Sequence, residues 1–358
     1  MSSEPKATLK SVRNAVEEEL STFLNFESAY LNTISTELSP VSDVLTAFLL
    51  DSGKRLRPLF AYAGFAAAGG ALEKPVVRAM AALELLQACA LIHDDLMDGS
   101  DTRRGKPSIH RHFETMHMQD QLDGFAPQYG VSAAVLLGDL ALVWSDQMLN
   151  SAGLTTEQFA RVFPYYNEMR VELMAGQFLD IHEQTQKTTS VDRSMKIARY
   201  KSGKYTIERP LHLGAAMTSA VSPEIFAALS AYGLPLGEAF QLRDDLLGVF
   251  GDPSVTGKPA GDDLREGKRT VLIAMTNDRQ SEAQREVART YFGKPDLDAQ
   301  GVAALQEIIE STGARAELES TIERLTDAAL AAAESSLFTH DGKALLVELA
   351  NIATKRSA

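Results

Sequence analysis

The sequence predicts an all-α fold on three observations. Ala- and Leu-rich stretches with apolar residues every three to four positions recur along the chain, as in helices with one buried face. Runs that alternate β-branched and polar residues, which strands require, are nearly absent. At 358 residues and 45 % apolar, the chain can bury a large core, as one big helical domain or two ordinary ones. In order, the periodicity predicts helices over 8–36, 42–51, 55–69, 74–98, 131–151, 155–184, 189–202, 205–219, 222–249, 268–276, 281–292, 299–312, 313–337 and 341–353. The start, MSSEPKATLK, is polar, so residues 1–20 are expected to be an N-terminal flank. Gly99 and Gly248 read as stop signals for the helices over 74–98 and 222–249. Segment 113–130 (FETMHMQDQLDGFAPQYG) is polar and non-periodic, which predicts a surface insertion. The Ala-rich stretch 328–333 reads as a tightly packing helix. With no internal repeat and no Pro/Ser/Gly linker long enough to split the chain, the expected organisation is a single domain, 1–358.

Composition narrows the function. A net charge of -13 argues against nucleic acid, whose phosphates select basic surfaces, and against an anionic membrane as an electrostatic partner. Any anion site must therefore use locally placed bases. The single cysteine, Cys89, lies in an apolar run, which precludes an intramolecular disulfide and suits a reducing compartment. The N-terminal segment lacks the apolar core of a signal peptide, and no run reaches 18 consecutive apolar residues. A cytoplasmic protein with no stable membrane anchoring is expected.

Two carboxylate clusters break local rules in the same way. Asp94-Asp95-Leu96-Met97-Asp98 and, about 150 residues on, Asp244-Asp245-Leu246-Leu247-Gly248 each follow an apolar helical run. Asp94 and Asp98 are four apart and share a helix face, where like charges repel by a few tenths of a kcal/mol. A last-turn position adds the negative end of the helix dipole. With no Lys or Arg within four residues of Asp94 or Asp98, the pattern suggests a divalent cation site.

Bases cluster at Gly-flanked breaks: Ser52-Gly53-Lys54-Arg55-Leu56-Arg57-Pro58, Arg103-Arg104-Gly105, Lys201-Ser202-Gly203-Lys204, Thr256-Gly257-Lys258-Pro259 and Glu266-Gly267-Lys268-Arg269-Thr270. Singly, each is most simply a solvated loop charge. Together, in an acidic chain and beside two metal-type clusters, they fit phosphate, with the cation bridging its oxygens to carboxylates and Arg or Lys taking the rest.

At these residues the chain resembles the trans-prenyltransferases, the polyprenyl diphosphate synthase family, and most of all its bacterial members that make geranylgeranyl diphosphate. The likeness runs from about residue 50 to 275. Asp94-Asp95-Leu96-Met97-Asp98-Gly99-Ser100-Asp101-Thr102-Arg103-Arg104-Gly105 is similar to the family's DDxxD, four residues and RRG, and Phe240-Gln241-Leu242-Arg243-Asp244-Asp245 to its FQxxDD. The resemblance implies a single helical-bundle domain of the isoprenoid synthase type with a central active-site cavity, and a homodimer packed through helices. It implies that Asp94, Asp98 and Asp244 bind three Mg²⁺ ions on the diphosphate of an allylic substrate (dimethylallyl, geranyl or farnesyl), with Arg103, Lys201 and Lys258 completing its shell. Lys54, Arg57, Gln87 and Arg104 would bind the diphosphate of isopentenyl diphosphate. Gln241 and the backbone near Lys201 and Ser202 would offer oxygen dipoles to the allylic cation. Two positions depart from the pattern: Gly248 stands where many relatives have a third aspartate, with Asp262 and Asp263 as candidates for water-mediated support, and Ser52 replaces the first glycine of Gly-Gly-Lys-Arg.

Other residues have simpler readings. His93 reads as a packed helix residue, since the adjacent carboxylates suit Mg²⁺ and imidazole does not. His110 and His112 read as loop structure, Trp144 with the stripe at 137–149 as core, and Lys355-Arg356 as a frayed tail. Product length is read from the helix before Asp94: Cys89 and Ala90 are small where short-chain relatives carry aromatic blocks, and Leu86 and Leu83 form the floor. The expected product is C20, geranylgeranyl diphosphate; C15 and longer products are the alternatives. A class I terpene cyclase shares the fold and the DDxxD, but carries an Asn/Ser/Glu triad where this chain has the aspartate pair after Gln241. A non-catalytic regulatory subunit would have lost carboxylates or arginines that are intact here.

Overall fold

The computed structural model describes residues 5–51, 53–219, 222–252 and 261–355. Among these the secondary structure is helical except for one antiparallel two-residue hairpin, β1 (Thr102–Arg103) with β2 (Lys106–Pro107). The chain clusters into two compact units, Met1–Tyr62 with Ala71–Phe159 and Ala63–Gly70 with Ala160–Ala358.

The first unit holds α1 (Pro5–Ile34), a 3₁₀ turn, α2 (Ser39–Leu50), the start of α3 (Leu56–Ala67), α4 (Lys74–Asp98), the hairpin, α5 (Ile109–Gln119) and α6 (Ala126–Asn150). The helix expected over 8–36 runs over Pro5–Ile34, so the polar flank expected over 1–20 is, from Pro5 on, part of that packed helix. Leu9, Val12, Val16 and Leu20 form a buried stripe continued by Phe23 and Leu24, at three- and four-residue steps hidden among charges. The insertion expected over 113–130 is also corrected. Helix α5 runs to Gln119, α6 starts at Ala126, and Phe113, His117 and Gly130 are buried. The helix α4 is buried almost all round from Val76 to Cys89, which is why it reads as a near-continuous apolar run. Against it packs α6, with Ser145 Oγ donating to the Ala82 carbonyl at 2.7 Å. Trp144 meets Phe23 edge to face at 6.2 Å, as expected of a core residue. Among the described residues, α4 and α6 are long and apolar enough to cross a membrane; α4 is mostly buried, α6 mostly not.

The second unit contains most of α7 (Thr156–Gln184), then α8 (Val191–Ile197), a π-helical segment (Ala198–Glu208), α9 (Arg209–Ala216) and α10 (Pro223–Phe250). It continues with α11 (Asp262–Glu266), α12 (Val271–Arg279), α13 (Glu282–Tyr291), α14 (Ala299–Ser311), α15 (Ala314–Ala333) and α16 (His340–Thr354). Ala239, Leu242, Leu246 and Val249 of α10 join Leu272, Leu305, Ile309, Leu318 and Ile322 in one core. The break expected at 203–204 is instead a wider winding of a continuous helix. Its position is fixed by close backbone approach: a side chain on Gly237 of α10 would sit 2.6 Å from the Cα of Gly203.

Candidate active site

In the first unit α4 ends where expected, with Gly99 as a left-handed cap (φ 68°), so Asp94, Asp95 and Asp98 occupy its last turns. The cluster has a positive partner after all, supplied from beyond the helix. Arg103 on β1 donates through Nε to both carboxylate oxygens of the buried Asp95 at 2.9 Å and reaches Asp94 Oδ2 at 3.5 Å. Arg103, expected in the diphosphate shell, therefore spends its fork on Asp95 here. Asp94 and Asp98 are half-buried on one face, and Gln87, two turns earlier on that face, is half-buried as well. Arg104 takes a left-handed backbone (φ 54°), donates to the Phe48 carbonyl at 3.4 Å and lies over the Phe48 ring at 5.9 Å. Burial, and secondarily the charge of Arg103, lowers its pKa. Lys54 is exposed, with its carbonyl held by Arg13 Nη2 at 3.2 Å, and Arg57 is half-buried.

In the second unit α10 runs past Gly248 to Phe250, so Gly248 is not the stop that was expected. A side chain at Gly248 would overlap the Asp263 carboxylate. Asp244 is half-buried and Asp245 fully buried. Gln241 Nε2 donates to Asp245 Oδ1 at 2.7 Å, which turns its own carbonyl oxygen away from that carboxyl. Burial first, then the charges of Asp263, Asp244 and Asp180, push the Asp245 carboxyl up to about 8, against the hydrogen bond from Gln241. The carboxylates of Asp94, Asp98 and Asp244 are hard oxygen donors, which fit Mg²⁺. Among the described residues no three His, Cys, Asp or Glu side chains form a closed metal cage. Magnesium does not need one, since it is held by one or two carboxylates, substrate phosphates and water.

Lys201 lies in the π-helical segment, its Nζ 2.6 Å from Asp180 Oδ2, with Ser202 half-buried beside it. Asp180 is a residue that sequence reasoning missed. Its available signal was a carboxylate four positions after Gly176 in an otherwise apolar stretch. Gly176 lets the two backbones touch, because a side chain there would lie 2.6 Å from the Lys201 Cα. Lys258 falls in 253–260, outside the described residues.

Of the length-gauge residues, Leu83, Leu86 and Cys89 are fully buried and Ala90 half-buried. Ala90 shares the face of Asp94, whereas Cys89 points to the α6 side. Its Sγ is 3.8 Å from His93 Nδ1, and His93 Nε2 is 3.2 Å from the Val135 carbonyl of α6. His93 is thus a packing residue, as read. Burial, then the Asp139 charge, pushes the Cys89 thiol up to about 12 and keeps it unreactive.

The chain belongs to the polyprenyl synthetase family, whose profile matches residues 39–309. A geranylgeranyl diphosphate synthase of Mycobacterium tuberculosis is 33 % identical over 308 residues, covering 85 % of this chain and 80 % of that protein. A geranylfarnesyl diphosphate synthase of Aeropyrum pernix is 35 % identical over 225 residues, 62 % of this chain and 65 % of that one. The crystal structure of a geranylgeranyl pyrophosphate synthase from Corynebacterium glutamicum, complexed with isoprenyl diphosphate and magnesium, superposes with a TM-score of 0.94. Its sequence is 42 % identical, with 98 % of this chain and 99 % of that chain covered.

Proposed function

We propose that this chain is a trans-prenyltransferase that condenses isopentenyl diphosphate head-to-tail with allylic diphosphates, with geranylgeranyl diphosphate (C20) as product. The observation that carries the reading is Asp94 and Asp98 on one face at the end of α4, together with the half-buried Asp244 beside Asp245 on α10. Asp94, Asp98 and Asp244 would hold three Mg²⁺ ions on the allylic diphosphate. When bound, the metal supplies positive charge for the leaving diphosphate, which lets the allylic C–O bond ionise. Arg103, Lys201 and Lys258 would complete the shell of that diphosphate; Asp95 pairs with Arg103 and Asp180 with Lys201. Lys54, Arg57, Gln87 and Arg104 bind the diphosphate of isopentenyl diphosphate. The Gln241 carbonyl and the backbone near Lys201 and Ser202 face their oxygen dipoles to the carbocation, which the isopentenyl double bond attacks. The departing diphosphate accepts the proton then lost, so no side-chain nucleophile is required. Asp263 stands in for the third aspartate that Gly248 replaces. The chain acts as one catalytic domain over 1–358, in the cytoplasm, as a homodimer. Exposed apolar stripes on α6 (Leu136, Val143) and α7 (Val171, Met174, Phe178) support the dimer.

Product chromatography with isopentenyl diphosphate, Mg²⁺ and each of dimethylallyl, geranyl and farnesyl diphosphate tests the reading. C20 should accumulate from all three. A main product of C15, or of C25 and longer, overturns the chain length; failure to condense with any primer overturns the class.

A further inference from the structure

We propose that Arg55 and Glu84 are a buried positioning pair that sets the isopentenyl diphosphate site, a proposal that rests on the assignment of Lys54, Arg57 and Arg104 to that substrate. Three bases in four residues, Lys54, Arg55 and Arg57, look interchangeable in the sequence. The structure separates them. Lys54 is exposed and Arg57 half-buried, whereas the Arg55 side chain is only 2 % exposed and cannot meet a ligand arriving from solvent.

The two terminal arms of the Arg55 fork are hydrogen-bonded inward, while Nε makes only an ion-pair approach to a partly exposed carboxylate. Nη1 donates to Glu84 Oε2 at 3.0 Å, Nη2 to the Leu49 carbonyl at 2.6 Å, and Nε lies 3.5 Å from Glu17 Oε1. The backbone at Arg55 is left-handed (φ 51°), a conformation that non-glycine residues hold only when their surroundings impose it. The guanidinium folds back over Gly53, where a side chain would lie 2.8 Å from Nη1, so the glycine of this loop makes room for the arginine.

The pair joins the pieces of the site. Glu84 is buried on α4, three residues before Gln87. Leu49, which accepts from Arg55, and Phe48, which accepts from Arg104, are neighbours in the last turn of α2. That turn carries no base of its own, so two arginines from other segments occupy its terminal carbonyls. Glu84 also attracts Arg104 electrostatically while Arg55 repels it. One buried carboxylate therefore balances the guanidinium nearest the substrate bases and ties their loop to α4. A buried ion pair adds little net stability over an apolar substitute, but removing one partner leaves an uncompensated charge that the loop must move to solvate.

The test is steady-state kinetics with both substrates varied, for Glu84→Gln, which is isosteric, for Arg55→Lys, which keeps the charge without the fork, and for Arg57→Ala as a direct probe of the substrate assignment. Glu84→Gln and Arg55→Lys should each raise the KM for isopentenyl diphosphate on the order of tenfold, with kcat and the allylic KM within about threefold. Combined, they should fall short of the product of the single effects, as residues acting through one contact do. Glu84→Asp keeps the charge and should recover part of the affinity, with far-UV circular dichroism unchanged throughout. If Arg57→Ala raises the isopentenyl KM but Glu84→Gln leaves it unchanged, the positioning role is wrong and the substrate assignment stands. If Arg57→Ala itself leaves that KM unchanged, the assignment is wrong. Equal losses for both substrates, or equal KM values for Glu84→Asp and Glu84→Gln, reduce the pair to general scaffolding and overturn the proposal.

Discussion

Asp94, Asp98 and Asp244 are half-buried carboxylates, and under the proposed function they serve a cation rather than the fold. Alanine at any one of them should lower kcat by about a thousandfold or more at saturating Mg²⁺, because a ligand to the charge that stabilises the leaving group is gone. Helical circular dichroism should be unchanged; near-normal turnover would remove the residue from the metal site. Gly248 and Asp263 make a different kind of pair, since one must lack a side chain for the other to sit where it does. Gly248→Ala should overpack the α10–α11 contact at a cost of roughly 1–3 kcal/mol, read as a lower Tm. Combining Gly248→Asp with Asp263→Ala should recover activity lost in Asp263→Ala alone; no recovery would mean that Asp263 does not serve as the missing carboxylate. On α4, Ala90→Phe should shift the main product from C20 to C15, because Ala90 shares the face of Asp94. Cys89→Phe should mainly lower Tm, since Cys89 packs toward α6. Chromatography and thermal melting of the two variants separate these effects, and an unchanged C20 product in Ala90→Phe would sink the gauge.

Elements are where sequence and structure part company, for identifiable reasons. Helix α4 was legible to the residue because its apolar run and its Gly99 cap agree. Gly248 gave the same signal on α10 and meant something else, because Asp263 fills the space that its missing side chain leaves. No local pattern distinguishes a glycine that ends a helix from one that admits a neighbour. Helix α1 was legible to within a few residues, from its expected start at 8 against Pro5, whereas α5 was hidden because polar residues separate its four buried anchors, Ile109, His110, Phe113 and His117. The two carboxylate clusters and the basic patches stand out in the sequence through motif spacing, whereas Asp180 and Glu84 do not, since their contacts are with partners 21 and 29 residues away. The junction of the π-helical segment with α9 yields a prediction of its own. His212 is buried, with Ser230 Oγ 3.0 Å from its Nε2, and Ser230 in turn donates to Glu208 at 2.7 Å. Burial pulls the His212 pKa from the usual 6.5 down to about 4, against the attraction of Glu208 and with the repulsion of Arg209 and Lys204. The unfolded chain therefore binds a proton that the folded one refuses. The stability is fully present above pH 6.5 and is lost as pH falls toward 4, on the order of 3 kcal/mol across that window. Urea denaturation of wild type and His212→Gln at both ends of the window should show a shallower pH dependence in the variant; equal slopes would show that another group is responsible.

The whole molecule carries a net charge of -13, yet it exposes apolar side chains in ordered stripes. On α7, Val171 and Phe178 are each 68 % exposed, with Met174 and Leu179 beside them at helical spacing. On α6, Leu136 is 66 % and Val143 59 % exposed, although the opposite face of the same helix is packed against α4. Scattered exposed apolar residues are ordinary, but stripes that repeat along a helix face mark a surface meant to be covered. A membrane is a poor cover for a chain this acidic, because anionic headgroups would repel it. A second copy meets no such barrier at an apolar face, and a two-fold axis places the same stripe opposite itself, so one patch serves both partners. Light scattering after size exclusion should accordingly give twice 38.9 kDa for the wild type. Phe178→Glu and Leu136→Glu place a charge in each stripe and should each shift the mass toward 38.9 kDa, with the helical spectrum intact. A wild-type mass of one chain across micromolar concentrations would leave the stripes without this partner. A dimer that survives both substitutions would place the interface on another face.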